Sequence, residues 1–231
     1  MPTVFITGAS RGIGLELARI YAKDGAKVIA CARNPARADA LRALAREDNV
    51  EIEPLDVTSD TALSALPGRL GKTAIDILIN NAGLGDPGPA GGDLLALDYK
   101  RFEELITVNA LAPLKVAAAL YPNIKAGQAK KIVTVSSRLG SIGLNVDGAL
   151  PTYRASKAMV NQLMRSLAAR AKRDAIAVMV VHPGWVRTDM GGAQASLSPT
   201  ESATALKRII SDLDLAHTGS FVNYDGDVLP W

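Results

Sequence analysis

What is scarce in these 231 residues narrows the reading first. Cysteine occurs once, as Cys31, so neither a disulfide framework nor a cysteine-based zinc site can form within one chain, and a reducing compartment is expected. Histidine occurs twice, as His182 and His217, with no partners at metal-ligand spacing, and both are read as structural. No metal is expected. Aromatic residues make up only 4% of the chain. The basic clusters, Lys130 with Lys131 and Arg170 with Lys172 and Arg173, have none interleaved, which argues against a nucleic-acid partner. Lys and Arg number 26 against 23 Asp and Glu, an excess too small to make a basic face. No apolar run approaches the ~20 residues that span a bilayer. The start of the chain also lacks the basic region, apolar core and cleavage site of a leader. A cytoplasmic protein with no membrane partner is the expectation.

What is present is ordinary for a soluble protein: 48% hydrophobic and 21% charged residues, in a length that suits one large α/β domain over residues 1–231. Short β-branched runs alternate with helix-period segments, the pattern of βαβ units on a mostly parallel sheet of about seven strands with helices on both faces, a Rossmann-type doubly wound fold. Strands are expected at 4–6, 27–32, 51–55, 75–79, 131–135, 175–181 and 220–224. The first helix carries Ile13, Leu17, Ile20 and Tyr21 on one stripe and stops near Asp24 and Gly25. Further helices are expected at 35–47, 59–70, 98–121, 153–173 and 200–213, with one long Gly- and Pro-rich loop at 84–92.

Between the first strand and its helix lie Thr7, Gly8, Ala9, Ser10, Arg11, Gly12, Ile13 and Gly14. Glycines there let the backbone approach a diphosphate, and the helix N-terminus favours the anion. A chain that selects NAD places an acid roughly 20 residues on, at the end of the second strand, to accept the ribose hydroxyls. This chain has Arg33 there. With Arg11 it can flank a 2′-phosphate, so NADP(H) is expected over NAD(H); two solvated surface arginines are the alternative. Downstream, Tyr153 and Lys157 stand four residues apart on one helix face. A cation beside a phenol favours the phenolate, so the Tyr153 pKa is expected to fall from ~10 toward working pH, where proton transfer to a reacting oxygen is efficient. Asn109 precedes Pro113 by four residues, so its carbonyl loses its helical donor and is free to hold a water.

Taken together these motifs resemble the short-chain dehydrogenase/reductase family. The similarity runs essentially end to end: the glycine turn, Asn80-Asn81-Ala82-Gly83 after the fourth strand, Asn109, Ser136-Ser137 after the fifth, and Tyr153 with Lys157. Three further stretches, residues 137–143, His182 to Gly192 and Tyr224 to Trp231, look most like the C-factor and Sniffer-like carbonyl reductase branch. The resemblance implies hydride transfer between nicotinamide C4 and a carbonyl or alcohol carbon. It implies that Tyr153 is proton donor and acceptor, Lys157 lowers its pKa and holds the nicotinamide ribose, Ser137 positions the substrate oxygen, and Asn109 serves a proton relay. Ser136 would then be structural. It further implies adenine contacts at Asp56 and Val57, ribose contacts at Asn81, Ala82 and Gly83, and nicotinamide contacts at Pro183, Gly184, Val186 and Thr188.

The segment 191–199, short and made of small and polar residues, is expected to leave the site open or mobile, with an aldehyde, ketone or quinone-like substrate all compatible. Arg138 is read as a surface arginine, with contact to an anionic substrate as the alternative. The family's pairing of long helices implies a homodimer or homotetramer. A second reading is a signalling or sensor protein that binds NADP(H) with turnover secondary.

Overall fold

The computed structural model describes residues 1–47, 49–85 and 94–231. Seven strands, β1 (Thr3–Ile6), β2 (Lys27–Ala32), β3 (Val50–Pro54), β4 (Ile77–Asn80), β5 (Lys131–Val135), β6 (Ala177–His182) and β7 (Ser220–Asn223), join one sheet in the order β3-β2-β1-β4-β5-β6-β7. Every neighbouring pair of these is parallel. The order reverses between β1 and β4, which opens a crevice at the carboxyl ends of those two strands.

Strand periodicity divides the core. Successive side chains point to opposite faces: Val4 and Ile6 join one apolar cluster and Phe5 the other. The first cluster is roofed by α1 (Gly12–Lys23), α2 (Asp39–Leu44) and α8 (Pro199–Asp212). The second is roofed by α3 (Asp60–Leu70), α5 (Ala112–Ala119), α6 (Tyr121–Ala126) and α7 (Pro151–Ala171). Burial on both faces explains why the central strands read as continuous Val, Ile and Leu runs.

The helix expected over 98–121 is not one α-helix. It comprises α4 (Tyr99–Ile106), a π-helical turn Thr107–Leu111, and α5, with α6 following directly. Pro113 has no N–H to give, and the ladder shifts so that the Ala112 N–H reaches back five residues to the Thr107 carbonyl. Proline shapes two other boundaries. The segment expected as a helix over 35–47 opens with a 3₁₀ turn at Pro35–Arg37 before α2, and α7 begins at Pro151, two residues early, because its locked φ suits a first helical position. The loop expected at 84–92 lies outside the described residues from position 86 onward.

Candidate active site

The glycine turn is shaped by crowding as much as by conformation. Gly8 has φ +67°, and a Cβ there would lie 2.8 Å from the Ala82 Cα. A Cβ on Gly14 would come within 2.4 Å of both the Gly8 carbonyl oxygen and Asn81 Nδ2. Thr7 and Asn81 stitch this turn to the segment after β4. The Thr7 hydroxyl accepts the N–H groups of Asn81 (3.0 Å) and Ala82 (3.1 Å), while Asn81 Nδ2 donates to the carbonyls of Thr7 and Gly8. Arg11 leads extended into α1 and provides no side-chain cap, so the first N–H groups of the helix face the crevice uncapped by a side chain.

Across the crevice, the segment after β6 reaches the same turn. Thr188 Cγ2 lies 3.2 Å from the Cβ position of Gly12, and Arg11 is ion-paired to Asp189. Met190 packs over Gly85. The segment 191–199 is anchored at its ends: the Arg187 N–H donates to the Leu197 carbonyl (2.8 Å), the Leu197 N–H to the Trp185 carbonyl (3.0 Å), and the Arg187 guanidinium binds the Ala195 and Ser196 carbonyls, while residues 192–194 between them are exposed. The segment is tied back onto its own start. Gly184, with φ +84°, has Leu197 and Tyr224 against it, and Pro183 is held through its carbonyl by the Ser202 hydroxyl at 2.7 Å.

At the adenosine end, Arg33 is exposed at the end of β2, and the half-buried Asp56 follows β3 with the buried Val57 beside it. Burial alone would raise the Asp56 pKa. Two hydrogen bonds from Thr58 and the Arg33 charge outweigh it, and the net shift is downward, so Asp56 is held as an anion. Arg33 and Asp56 therefore share one corner, whereas Arg11 is engaged with Asp189 rather than pointing there alone.

At the other end, Ser137, Tyr153, Lys157 and Asn109 converge. Lys157 is 5% exposed and donates from Nζ to the Val135 carbonyl at 3.2 Å, and Nζ lies 5.7 Å from the Tyr153 ring centre. Gly83 sits between two of them, its Cβ position 3.3 Å from Asn109 Oδ1 and 3.7 Å from Lys157 Nζ. The adjacent serines separate cleanly: Ser136 gives its hydroxyl to Asn161 Oδ1 at 2.6 Å, while Ser137 Oγ lies beside the Tyr153 phenol.

The electrostatics correct one expectation. Tyr153 is not lowered by its lysine in the chain alone: burial pushes it up to about 12, against a smaller downward pull from the Ser137 hydroxyl. Burial also pushes Lys157 down to about 8. Desolvation disfavours the charged form of each, so the ammonium sheds its proton well before the phenol does and cannot then stabilise a phenolate.

Ser156 escapes a reading based on motifs. Asn109 Oδ1 accepts the Leu84 N–H at 2.7 Å, and its Nδ2 donates to the Leu84 carbonyl (2.9 Å) and to Ser156 Oγ (3.1 Å). Ser156 in turn donates to the Tyr153 carbonyl at 2.8 Å, a back-bond three residues upstream that helical serines commonly make. That spacing is visible in the sequence; the Asn109 contact is not. Asn80, left without a role by the motif, donates to the Pro113 carbonyl at 3.2 Å and fastens β4 to the distorted helix. Among the described residues no group of three or more His, Cys, Asp or Glu converges as a metal site, and no helix is long and apolar enough to cross a membrane.

A glycine turn feeding a helix at a sheet's switch point, with a Tyr and Lys pair beside a serine, defines a dinucleotide-dependent oxidoreductase of the α/β class. The family model for short chain dehydrogenase matches residues 2–197, and the chain belongs to that family. Its similarities fall within the carbonyl reductase and C-signal branch. C-signal of Myxococcus xanthus is 39% identical over 157 residues, covering 68% of this chain and 93% of that protein. Carbonyl reductase Sniffer of D. melanogaster superposes with a TM-score of 0.93 at 31% identity, with all of both chains covered. A carbonyl reductase from Pseudomonas aeruginosa PAO1 in complex with NADP gives 0.88 at 37%, also over both whole chains.

Proposed function

We propose that this chain is an NADP(H)-dependent reductase of carbonyl compounds, working between a carbonyl and its alcohol. The observation that carries the reading is the meeting of Ser137, Tyr153, Lys157 and Asn109 at the crevice mouth. The residues fit the cofactor. Gly8 and Gly14 keep the turn free of side chains, α1 presents uncapped N–H groups, and Arg33 stands at the end of β2 where an acid would repel a 2′-phosphate. Bound NADPH supplies a hydride at nicotinamide C4. In this reading Gly8, Ser10, Arg11, Gly12, Ile13 and Gly14 cradle its phosphates, and Arg33 with Arg11 holds the 2′-phosphate. Asp56, Val57, Asn81, Ala82 and Gly83 line the adenosine, while Pro183, Gly184, Val186 and Thr188 orient the nicotinamide.

The chain's own chemistry is proton delivery. Ser137 Oγ and the Tyr153 hydroxyl together hold the carbonyl oxygen, which polarises it and fixes the face presented to the hydride. A phenol kept protonated by burial is a competent acid: it gives its proton to the oxygen as negative charge develops there. Lys157, charged below about pH 8, stabilises the phenolate this leaves. Asn109 returns a proton through water at its main-chain carbonyl, with its side chain locked by Leu84 and Ser156. Similarity to a carbonyl reductase in complex with NADP supports the cofactor assignment.

The deciding experiment follows NADPH oxidation by absorbance against aldehydes, ketones and quinones, with NADH and Tyr153→Phe beside it. Turnover with NADPH that falls by ~10²–10⁴ in the variant is expected. Equal turnover in Tyr153→Phe would overturn the assignment. The 39% identity to C-signal favours one second reading, an NADP(H)-binding signalling protein. It gains if Tyr153→Phe loses reductase activity while the cellular phenotype persists.

A further inference from the structure

The segment after β7 has no part in the chemistry above, yet it ends against the loop that carries Ser137. The chain turns at Gly226 (φ +105°), whose N–H reaches the Asn223 carbonyl, and returns antiparallel along β7. Val228 pairs with Val222, and the Leu229 N–H donates to the Phe221 carbonyl at 2.8 Å. At the end of this run the Trp231 indole lies 5.5 Å from the buried Phe221 ring and 5.4 Å from the Arg165 guanidinium carbon.

The backbone oxygen of Trp231 then accepts two hydrogen bonds from the other side of the cleft, from the Gly143 N–H and the Ser141 hydroxyl, both at 3.2 Å. Ser141 is 1% exposed and is the node of that loop. Its Oγ also accepts the Leu144 N–H, its own N–H donates to the Arg138 carbonyl, and the Gly140 N–H donates to the Ser137 carbonyl. Through the peptide link between Gly140 and Ser141, these hydrogen bonds connect Trp231 to Ser137. Gly140 rests directly on the Lys157 backbone, its Cβ position 2.8 Å from the Lys157 carbonyl carbon. Past Gly140 the loop stands off α7 across a cleft of about 270 Å³, bordered by Ile142, Gln162, Arg165 and Trp231. The helix holds the loop at Gly140, whose carbonyl accepts Asn161 Nδ2 at 3.2 Å, and Trp231 holds it farther on, at Ser141 and Gly143.

We propose that Trp231 is a positioning residue for the substrate: docked on Phe221 and Arg165, it holds the 137–144 loop so that Ser137 meets the carbonyl oxygen. The inference rests on the reductase reading, since it gives Ser137 a substrate to meet. The backbone oxygen makes the contact and the indole keeps it in place.

The test compares Trp231→Ala, Trp231→Phe and Ser141→Ala with the parent chain, using benzaldehyde as substrate and measuring NADPH Kd by fluorescence titration. For Trp231→Ala, KM for benzaldehyde should rise about tenfold while kcat changes less and NADPH Kd stays within about twofold, since only the substrate side is displaced. Trp231→Phe keeps a ring on Phe221 and should restore most of the loss; Ser141→Ala, which removes one bond, should fall between. An unchanged KM in Trp231→Ala, or equal weakening of NADPH and benzaldehyde, would overturn the proposal. If Trp231→Ala does not fold, Ser141→Ala decides by the same criterion. If the parent reduces no carbonyl, the reductase reading fails, and amide exchange still tests the anchor: protection of Gly143 and Leu144 that is unaltered in Trp231→Ala would dismiss it.

Discussion

At the scale of single residues, the buried Lys157 and the half-buried Tyr153 set the cost of keeping the site ready. Lys157 has a folded pKa of about 8 against 10.5 for the free side chain. Between those values the unfolded chain binds more protons than the folded one, so this group makes stability rise as pH rises from about 8 to 10.5, and its full penalty stands below pH 8. Tyr153, raised from 10 to about 12, acts oppositely: the folded protein holds its proton longer, and stability falls as pH rises from 10 to 12. Lys157→Met should therefore abolish reduction and yet stabilise the cofactor-free protein by about 1–3 kcal/mol at pH 7. Urea unfolding at pH 7 and pH 10 checks this, and an advantage that does not shrink at pH 10 would refute the account. Arg33 makes a second case. It is exposed and shares its corner with Asp56, so Arg33→Asp would set two carboxylates against a 2′-phosphate and should lower the affinity for NADPH relative to NADH by at least ~10-fold. Arg11→Ala should cost less, because Arg11 is already shared with Asp189.

At the scale of elements, two features carry opposite consequences. The glycine turn has no slack: a methyl on Gly14 would overlap a backbone carbonyl and the Asn81 amide that stitches the turn to β4. Gly14→Ala should cost at least about 2 kcal/mol of stability and raise NADPH Kd at least ~10-fold, read from unfolding curves and titration. The start of α8 borders the site through Ser202, which holds the Pro183 carbonyl, but its cap is a separate device. Ser198 and Glu201 form a reciprocal capping box, with Ser198 Oγ accepting the Glu201 N–H at 3.1 Å and the Glu201 carboxylate accepting the Ser198 N–H at 2.7 Å. Ser198→Ala should lower stability by ~1 kcal/mol and Tm by about 2–4 °C while kcat/KM is unchanged. A large loss of activity there would mean that the β6 to α8 segment transmits strain to the nicotinamide loop.

At the scale of the whole molecule, the second apolar cluster is not sealed by the helices over it. Met159, Leu163 and Leu167 run along α7 at four-residue intervals and stay half-buried, with Leu114 beside them on α5. We propose that a second copy completes this face, giving the homodimer or homotetramer that the family resemblance implies. Sedimentation at micromolar concentration should give a species of at least twice the 24.2 kDa chain mass, and Leu163→Lys should shift it toward monomer. A monomeric parent would overturn the pairing.

The sequence by itself determined the sheet and the identities at its carboxyl ends. A strand buried on both faces reads as a continuous apolar run, and a turn that admits phosphate is marked by its glycines, so both are legible locally, although what crowds Gly8 and Gly14 is the distant Asn81–Ala82 segment. The family resemblance, more than any spacing, pointed to Ser137, Tyr153, Lys157 and Asn109, and the Tyr153→Phe assay tests that assignment. Tertiary structure alone decided whatever depends on who lies opposite whom. The Tyr153 pKa went up because desolvation by the surrounding elements outweighs the Ser137 hydrogen bond. Ser136 turned inward because Asn161 was waiting for its hydroxyl, and Asn109 found Ser156 from another helix. Arg11 met Asp189 across the crevice, and Trp231 met Ser141 across ninety residues of chain. Contacts at such separation leave no period or spacing in the sequence; they exist only once the sheet has brought the strand ends together.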